Sequence, residues 1–445
     1  MMSSDVLTMD QQNRCDAMTK SLNFQQIPIL PPPSSYLEVS CDDQWKAASE
    51  TIGKIVFGLA WLNDYLVGCT SSGSVIVWRI PTCVVRDDEE YDEHQVQDTN
   101  KRQRIACSSD ADVDILQSSI RQRRKPLVKF QASAGVLYSI AFLNHSSSLI
   151  LGVCGDEGIK LYSWNDIENL INDPTALVTP LSHFRPHVSH GVVEINDFAM
   201  DENSCLYGAS GDSFGCYKWD TETEVLLKTY SSPKGGYLHT LKVLPASTTA
   251  GGHSVLLMGG EGGILGVWDR KQDQLIEDID IKATMNANTP LMSSTAPSKG
   301  FSAWNNSTHL WSSHIYASAE SSSWWHVCGG AEGQPARSGR CGGYITSWHA
   351  PTRSLAAGSA TRESLNRMAS WTSSSSSLAT IANESVVSYW SPTRVERTGR
   401  FWCTPPSAYA IAVRERDGRT AVGGVGHTVD VLEYEGPKAY SVSLA

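Results

Sequence analysis

Apolar and polar positions follow a short pattern that recurs seven times along the chain. An apolar strand leads into a turn, often rich in glycine, and a second β-rich strand ends in an aromatic residue, as in YLVGCTSSGSVIVWRI and VLLMGGEGGILGVWDR. The aromatic residues that close the second strand are Trp78, Trp164 (with Tyr162 as the alternative), Trp219, Trp268, Trp348, Trp390 and, in the last copy, Tyr434. This spacing is typical of antiparallel hairpins.

Further strands flank most copies of the hairpin. Segments such as LYSIAFLN and LHTLKVLP alternate apolar and polar residues before it, and segments such as PLVKFQAS and VLLKTYSS follow it. Four strands per copy and seven copies predict an all-β fold, a seven-bladed β-propeller, because one four-stranded sheet cannot bury both of its faces alone. The closing tryptophans are expected to pack between neighbouring blades.

Several of these segments are similar to known repeats. Trp219-Asp220 and Trp268-Asp269 resemble the dipeptide that names the WD40 family, and the turns GDEG and GEGG match that family as well. The Gly-His pair that opens WD40 repeats is mostly missing, and Ser133 stands after KFQA where a histidine is expected. More closely, a series of segments between about residues 49 and 445 resembles the family of THO complex subunit 6. They include GIKLYSWNDIENL, VVEINDFAMDENSCLYGASGD and VDVLEYEGPKAYSVSLA.

The resemblance to THO complex subunit 6 implies a non-enzymatic protein-interaction scaffold. It implies a place in a nuclear THO/TREX-type complex that couples transcription to mRNA processing and export, with subunits 5 and 7 as partners. The formal charge of −11 repels phosphate backbones, so RNA is expected to be reached only indirectly, through the complex. No cofactor, metal ion, membrane contact or small-molecule substrate is expected.

The segment Trp268-Asp269-Arg270-Lys271 leaves a second function open. In some WD40 proteins a W-D-x-Arg/Lys motif docks on the adaptor of a cullin-4 ubiquitin ligase, and the chain would then be a substrate receptor. Trp268, Asp269 and Lys271 are the docking residues of that hypothesis. The structural alternative is that the aspartate and the basic residue cap the turn after the strand.

A tail and two insertions interrupt the repeat pattern. Residues 1–50 are expected to form a largely flexible tail, and the propeller is expected over residues 51–445, with insertions at about 81–125 and 282–306. The first insertion carries two basic clusters that resemble a bipartite nuclear-localisation signal. The residues of that signal are Lys101, Arg102, Arg104, Arg121, Arg123, Arg124 and Lys125.

Cysteine usage and the N-terminal residues bear on the cellular compartment. The chain has 11 cysteines and no Cys-x-x-Cys pair, which argues against a disulfide framework and a zinc ribbon. The first residues, MMSSDVLTMDQQNRC, lack the apolar core of a signal peptide. A reducing compartment, cytosol or nucleus, is therefore expected, and the resemblance to THO complex subunit 6 implies the nucleus.

Three motifs resemble a catalytic serine, a zinc site and a phosphate-binding loop, but the residues around each motif do not fit that kind of site. Ser213 fits the G-x-S-x-G pattern of serine hydrolases, but that pattern needs a helix after the serine, and CYKWD alternates like a strand. His183, His187 and His190 lack the spacing of a zinc site and are expected in a loop between blades 2 and 3. The glycine run Gly259–Gly263 lacks the Lys and Ser/Thr of a phosphate-binding loop. No enzyme activity is expected.

Overall fold

The structure is a computed structural model that describes most of the repeat region. The described residues are 55–80, 125–145, 148–186, 193–211, 215–231, 236–244, 254–288, 309–317, 324–332, 342–361, 363–371 and 377–444. The predicted N-terminal tail lies outside these ranges, as does nearly all of the first insertion, which joins two strands of the first blade.

Seven four-stranded antiparallel sheets form the described chain, which confirms the predicted seven-bladed β-propeller. Blade 1 contains β1 (Val56–Leu62), β2 (Tyr65–Thr70), β3 (Ser74–Arg79) and β4 (Val128–Gln131). Blade 2 contains β5 (Leu137–His145), β6 (Ser148–Gly155), β7 (Gly158–Ser163) and β8 (Ser182–Phe184). Blade 3 contains β9 (Ile195–Met200), β10 (Cys205–Ser210), β11 (Gly215–Asp220) and β12 (Leu226–Ser231). Blade 4 contains β13 (Leu238–Leu244), β14 (Val255–Gly260), β15 (Ile264–Asp269) and β16 (Gln274–Asp280).

The remaining three blades follow the same plan. Blade 5 contains β17 (His309–Ala317), β18 (Trp324–Glu332), β19 (Gly343–His349) and β20 (Ser354–Thr361). Blade 6 contains β21 (Leu365–Trp371), β22 (Ser377–Ala382), β23 (Glu384–Trp390) and β24 (Arg397–Trp402). Blade 7 contains β25 (Ala408–Val413), β26 (Thr420–Gly424), β27 (Thr428–Leu432) and β28 (Lys438–Ser443). The described helices are α1 (Trp164–Asn172), after β7, and α2 (Ile281–Ala287), after β16.

The first strand of each blade is the innermost one, because each first strand contacts the first strands of both neighbouring blades around the ring. All seven first strands contain the same irregularity in their pairing with the second strand, a single extra residue that bulges. The bulged residues are Phe57, Tyr138, Asn196, His239, Ser313, Asn366 and Tyr409. This shared bulge puts the seven blades in one register, so that equivalent positions can be compared directly.

The aromatic residue that closes blade 2 differs from the prediction. Tyr162 pairs with Leu151, as Trp78 pairs with Leu66 in blade 1, so Tyr162 occupies the closing position. Trp164 is instead the first residue of α1, where Trp164, Ile167 and Leu170 recur every three residues and form the buried face of the helix. The prediction of Trp164 as a closing residue is therefore corrected to Tyr162.

Two other segments also differ from the sequence-based picture. In blade 7 the closing position belongs to Leu432, which pairs with Thr420, and Tyr434 follows the strand. The insertion expected at 282–306 begins within α2, and Asp280 caps this helix by accepting a hydrogen bond from the Ala283 N–H at 2.9 Å. Residues 289–306 of that insertion lie outside the described residues.

Hydrophobic clusters fill all seven seams between neighbouring blades. Closing tryptophans stand in these clusters: Trp78 lies between blades 7 and 1, Trp219 between blades 2 and 3, Trp348 between blades 4 and 5, and Trp390 between blades 5 and 6. Some indole nitrogens bond within their own blade, as when Trp390 Nε1 donates to Thr380 Oγ1 at 2.8 Å. The seams therefore hold both the apolar core and the polar ends of its largest residues.

Side-chain contacts close the ring between blade 7 and blade 1. Trp61 Nε1 donates to the Ala412 carbonyl at 3.2 Å, and Trp78 Nε1 donates to the Ser443 carbonyl at 2.7 Å. Each blade is built from four consecutive strands, so among the described residues no strand from one end of the chain completes the sheet at the other end. The described closure therefore depends on packing, on side-chain hydrogen bonds and on an isolated antiparallel backbone bridge between Ile55, just before β1, and Val425, just after β26.

Arg414 is the central charged group of this seam. Its side chain is 2% exposed, and its guanidinium carbon lies 4.8 Å from the ring centre of Trp61. The same guanidinium donates to the Ile80 carbonyl at 2.8 Å, bonds to Asp417, and lies 3.7 Å from a carboxylate oxygen of Asp64. One side chain of blade 7 thus joins three partners in blade 1.

Replacing Arg414 with alanine is expected to weaken ring closure. The change removes a buried charge from its carboxylates and from a buried carbonyl, so the free energy of unfolding should fall by about 3 kcal/mol. Arg416→Ala is the matched control, because Arg416 also pairs with Asp64 but is 39% exposed, and it should cost no more than about 1 kcal/mol. Denaturant unfolding of the two variants measures both effects, and equal losses would contradict a special role for Arg414.

Candidate functional site

The motif Trp268-Asp269-Arg270-Lys271 lies at the end of β15 and in the turn after it. Trp268 is half-buried in the seam between blades 3 and 4, where its ring centre lies 5.3 Å from that of Tyr230 in an edge-to-face arrangement. Its indole nitrogen is buried and has no hydrogen-bond partner among the described residues. The tryptophan of the motif therefore packs into the propeller.

The next two residues of the motif are also engaged inside the structure. Asp269 is buried, and its Oδ1 accepts hydrogen bonds from the Lys271 N–H at 2.8 Å and the Gln272 N–H at 3.0 Å. Arg270 is buried and donates to Asp201 of blade 3 at 2.6 Å. Lys271 is exposed. The aspartate thus caps the turn, as the structural alternative describes, and Lys271 is the part of the motif open to a partner.

The serine-hydrolase motif falls between two paired strands. Ser213 itself lies outside the described residues. The strands on either side are β10 and β11, and Ser210 pairs with Gly215 across the turn that joins them. A strand therefore follows the motif, in place of the helix that a nucleophilic serine requires.

Of the three histidines expected in a loop between blades 2 and 3, His183 is the one that the structure describes, and it lies in a strand instead. His183 lies in β8, the outermost strand of blade 2, where it pairs with Lys160. Its Nε2 is 2.7 Å from the Glu157 carbonyl, and burial lowers the pKa of the imidazole. The sequence showed too little apolar alternation around SHF to reveal this short strand. His187 and His190 lie outside the described residues.

The other sites predicted from the sequence lie only partly within the residues that the structure describes. Of the predicted nuclear-localisation residues, Lys125 is described and exposed, and the other six lie outside the described residues. Within the described ranges, no group of three or more His, Cys, Asp or Glu side chains is arranged to hold a metal ion. No helix in the described part of the chain is long and apolar enough to cross a membrane.

The outer strands of blades 3 and 4 carry exposed apolar side chains that the sequence pattern did not predict. Leu227 of β12 is 50% exposed and Leu275 of β16 is 45% exposed, with Val225, Leu226 and Ile276 exposed beside them. Both strands are sheet edges, so one side of each backbone is also unpaired within its blade. The sequence signal for these residues is the run of adjacent apolar residues in VLL and LI. A strand with one buried face alternates apolar and polar residues, so adjacent apolar residues put at least one apolar side chain on the solvent face.

Polar groups on the inner strands form a chain of hydrogen bonds around the axis. Arg367 of blade 6 donates to the Phe57 carbonyl of blade 1 at 2.7 Å and to Ser139 Oγ of blade 2 at 3.2 Å. Ser139 and Thr240 each donate to the Asp197 carboxylate at 3.1 Å, so blades 2, 3 and 4 are joined as well. Arg367 thus reaches across the centre of the ring to blades that do not adjoin its own.

Separate substitutions within the W-D-R-K motif should distinguish turn capping from partner binding. Asp269→Ala removes both backbone hydrogen bonds of the buried cap and should lower the free energy of unfolding by about 1–2 kcal/mol. Lys271→Ala should change it by no more than about 0.5 kcal/mol. Thermal or urea unfolding measures both, and a neutral Asp269→Ala would contradict the capping role. Adaptor-binding tests should therefore use Lys271 substitutions, since loss of Asp269 perturbs the turn itself.

No protein-family model matches this sequence, and no curated protein sequence matches it either. The geometry therefore supplies the fold class, a WD40-like seven-bladed propeller typical of protein-interaction scaffolds.

Proposed function

We propose that the protein is a non-enzymatic scaffold subunit of a nuclear THO/TREX-type complex that couples transcription to mRNA processing and export. The observation that carries the scaffold role is a closed propeller with exposed apolar residues on the outer edges of two adjacent blades. The assignment to THO/TREX is supported by the resemblance of segments along the chain to subunit 6 of that complex. Its partners in this proposal are subunits 5 and 7.

The apolar outer edges suit the coiled-coil character of these partners. A helix of a coiled coil carries an apolar stripe. Any part of that stripe that the other helices leave exposed is stabilised when it packs against another apolar surface. The outermost strands of the adjacent blades 3 and 4, β12 and β16, each expose an apolar residue of this kind, Leu227 and Leu275, and both residues lie outside the seam clusters. A few anchors of this kind supply most of the free energy of a protein interface.

Charge favours indirect contact with RNA in this proposal. The chain carries 47 acidic against 36 basic residues, so its overall field opposes association with a phosphate backbone. The predicted nuclear-localisation clusters are the strongest local exception along the sequence, and they serve nuclear import in this proposal. RNA is reached through the partner subunits.

Affinity purification of the tagged full-length chain tests the assignment. Mass spectrometry of the purified material should recover subunits 5 and 7 of the THO complex together with its other subunits. Recovery of no THO subunit would refute the proposal. Recovery of a cullin-4 adaptor in their place, abolished by Lys271→Glu, would favour the substrate-receptor hypothesis.

The double substitution Leu227→Ser with Leu275→Ser tests the apolar outer edges as the docking surface. It should weaken recovery of subunits 5 and 7 about tenfold, because loss of interface anchors costs more than about 1 kcal/mol each. Both residues are half exposed, so the melting temperature should change little. Leu177→Ser is the matched control, since Leu177 is 87% exposed and lies away from these strands, after α1. Equal recovery with all variants would exclude these edges as the docking surface.

A further inference from the structure

Three aromatic residues lie side by side at the bulges of three consecutive inner strands. Blades 7, 1 and 2 follow one another around the closed ring, and their bulged residues are Tyr409, Phe57 and Tyr138. The ring centre of Phe57 lies 5.6 Å from that of Tyr409 and 5.7 Å from that of Tyr138, with interplanar angles of 53° and 56° respectively. These three side chains form one aromatic row across the inner strands of three blades.

The hydrophobic core does not use this aromatic row. Each of the three residues is partly exposed, and none belongs to a seam cluster of the described residues or packs against one. Other partly exposed aromatic residues of the inner strands, such as Trp61 and Phe142, do pack against these clusters. Aromatic rings that stay partly exposed outside the core are typical anchors of protein interfaces.

The other bulged residues are polar and uncharged. They are all partly exposed, and they are Asn196, His239, Ser313 and Asn366. Burial lowers the pKa of His239, so its imidazole is neutral at pH 7. Both asparagine amides donate to a carbonyl of the next blade, as Asn196 does to Leu238 at 2.8 Å. The level of the bulges therefore combines an aromatic arc with an uncharged polar arc.

Two charged side chains adjoin the aromatic row and restrict the charge of what it can bind. Arg367 donates to the backbone carbonyl of Phe57 at 2.7 Å, so a cationic ligand on the row would meet a like charge. The carboxylate of Asp156 accepts a hydrogen bond from the Tyr138 hydroxyl at 3.0 Å, so an anionic ligand would also meet a like charge. An uncharged ligand avoids both repulsions.

We propose that the aromatic row docks a proline-rich segment of a partner protein in the polyproline II conformation. Proline side chains are uncharged and apolar, and proline-rich segments dock on aromatic surfaces at a low cost in conformational entropy because they are already extended. A polyproline II helix advances about 3.1 Å per residue, so one turn of about 9 Å matches a row whose three ring centres span at most about 11 Å.

This docking surface is separate from the outer edges of the scaffold proposal. The aromatic row lies on innermost strands, whereas Leu227 and Leu275 lie on the outermost strands of blades 3 and 4. The inference rests on the fold and does not depend on the THO/TREX assignment. Binding of a proline-rich peptide and recovery of THO subunits can therefore succeed or fail independently.

Fluorescence anisotropy with fluorescein-labelled decaproline tests the aromatic row on the full-length chain. The wild-type protein should bind decaproline, and Tyr409→Ala should raise the Kd about tenfold because one of the three rings is lost. Tyr409→Phe keeps the ring and should keep the Kd within about twofold of the wild-type value. Trp402→Ala is the control, because Trp402 is 76% exposed on the outermost strand of blade 6 and should leave binding unchanged.

Hydroxyl-radical footprinting of the wild-type protein provides a second readout that needs no substitution. Decaproline should lower the oxidation of all three rings of the aromatic row and leave that of Trp402 unchanged. Deca-lysine and deca-glutamate should protect the row less at about 0.15 M salt, which screens long-range attraction to the acidic chain. The proposal is overturned if the wild-type protein does not bind decaproline, if Tyr409→Ala binds it as tightly as Tyr409→Phe, or if either charged peptide protects the row as strongly.

Discussion

Closure of the ring between blade 7 and blade 1 is the constraint on which the rest of the structure depends. Each blade can bury its two faces only if it has a neighbour on both sides, and the seventh blade must therefore meet the first. Blades 7 and 1 are joined here by hydrogen bonds to carbonyl groups across the seam, donated by the side chains of Trp61, Trp78 and Arg414. Every blade is a run of four consecutive strands, so in the described chain these contacts and a single backbone bridge between Ile55 and Val425 close the ring without strand exchange.

A closed ring also creates the axis and fixes what faces it. Seven bulged inner strands present equivalent residues at each level, and most of these are small or apolar. Polar groups at the axis are consequently held by their neighbours, as Asp197 is held by Ser139 and Thr240. The side chain of Arg367 links blade 6 to blades 1 and 2 through the centre.

The W-D-R-K motif shows how a short motif changes meaning once it is placed in the fold. In the sequence, its three docking residues are equivalent candidates for contact with a partner. In the structure, Trp268 fills a seam, Asp269 caps the turn, and Lys271 is exposed. Arg270, which the motif treats as a variable position, forms the buried ion pair with Asp201 that connects blades 3 and 4. Interaction of the propeller with partners is therefore better sought at its outer edges and at Lys271 than along the whole motif.

The sequence by itself determined the number of blades and most of their strands, because strand alternation and closing aromatics are local and recur in each copy. It did not reveal β8 or α1, where a three-residue strand and a nine-residue helix give weak or competing local patterns. Only the tertiary structure decided which charged residues are buried and which partners they contact in other blades. Arg367 lies far from Phe57 and Ser139 in the chain, and these residues meet because the inner strands of their three blades line one axis.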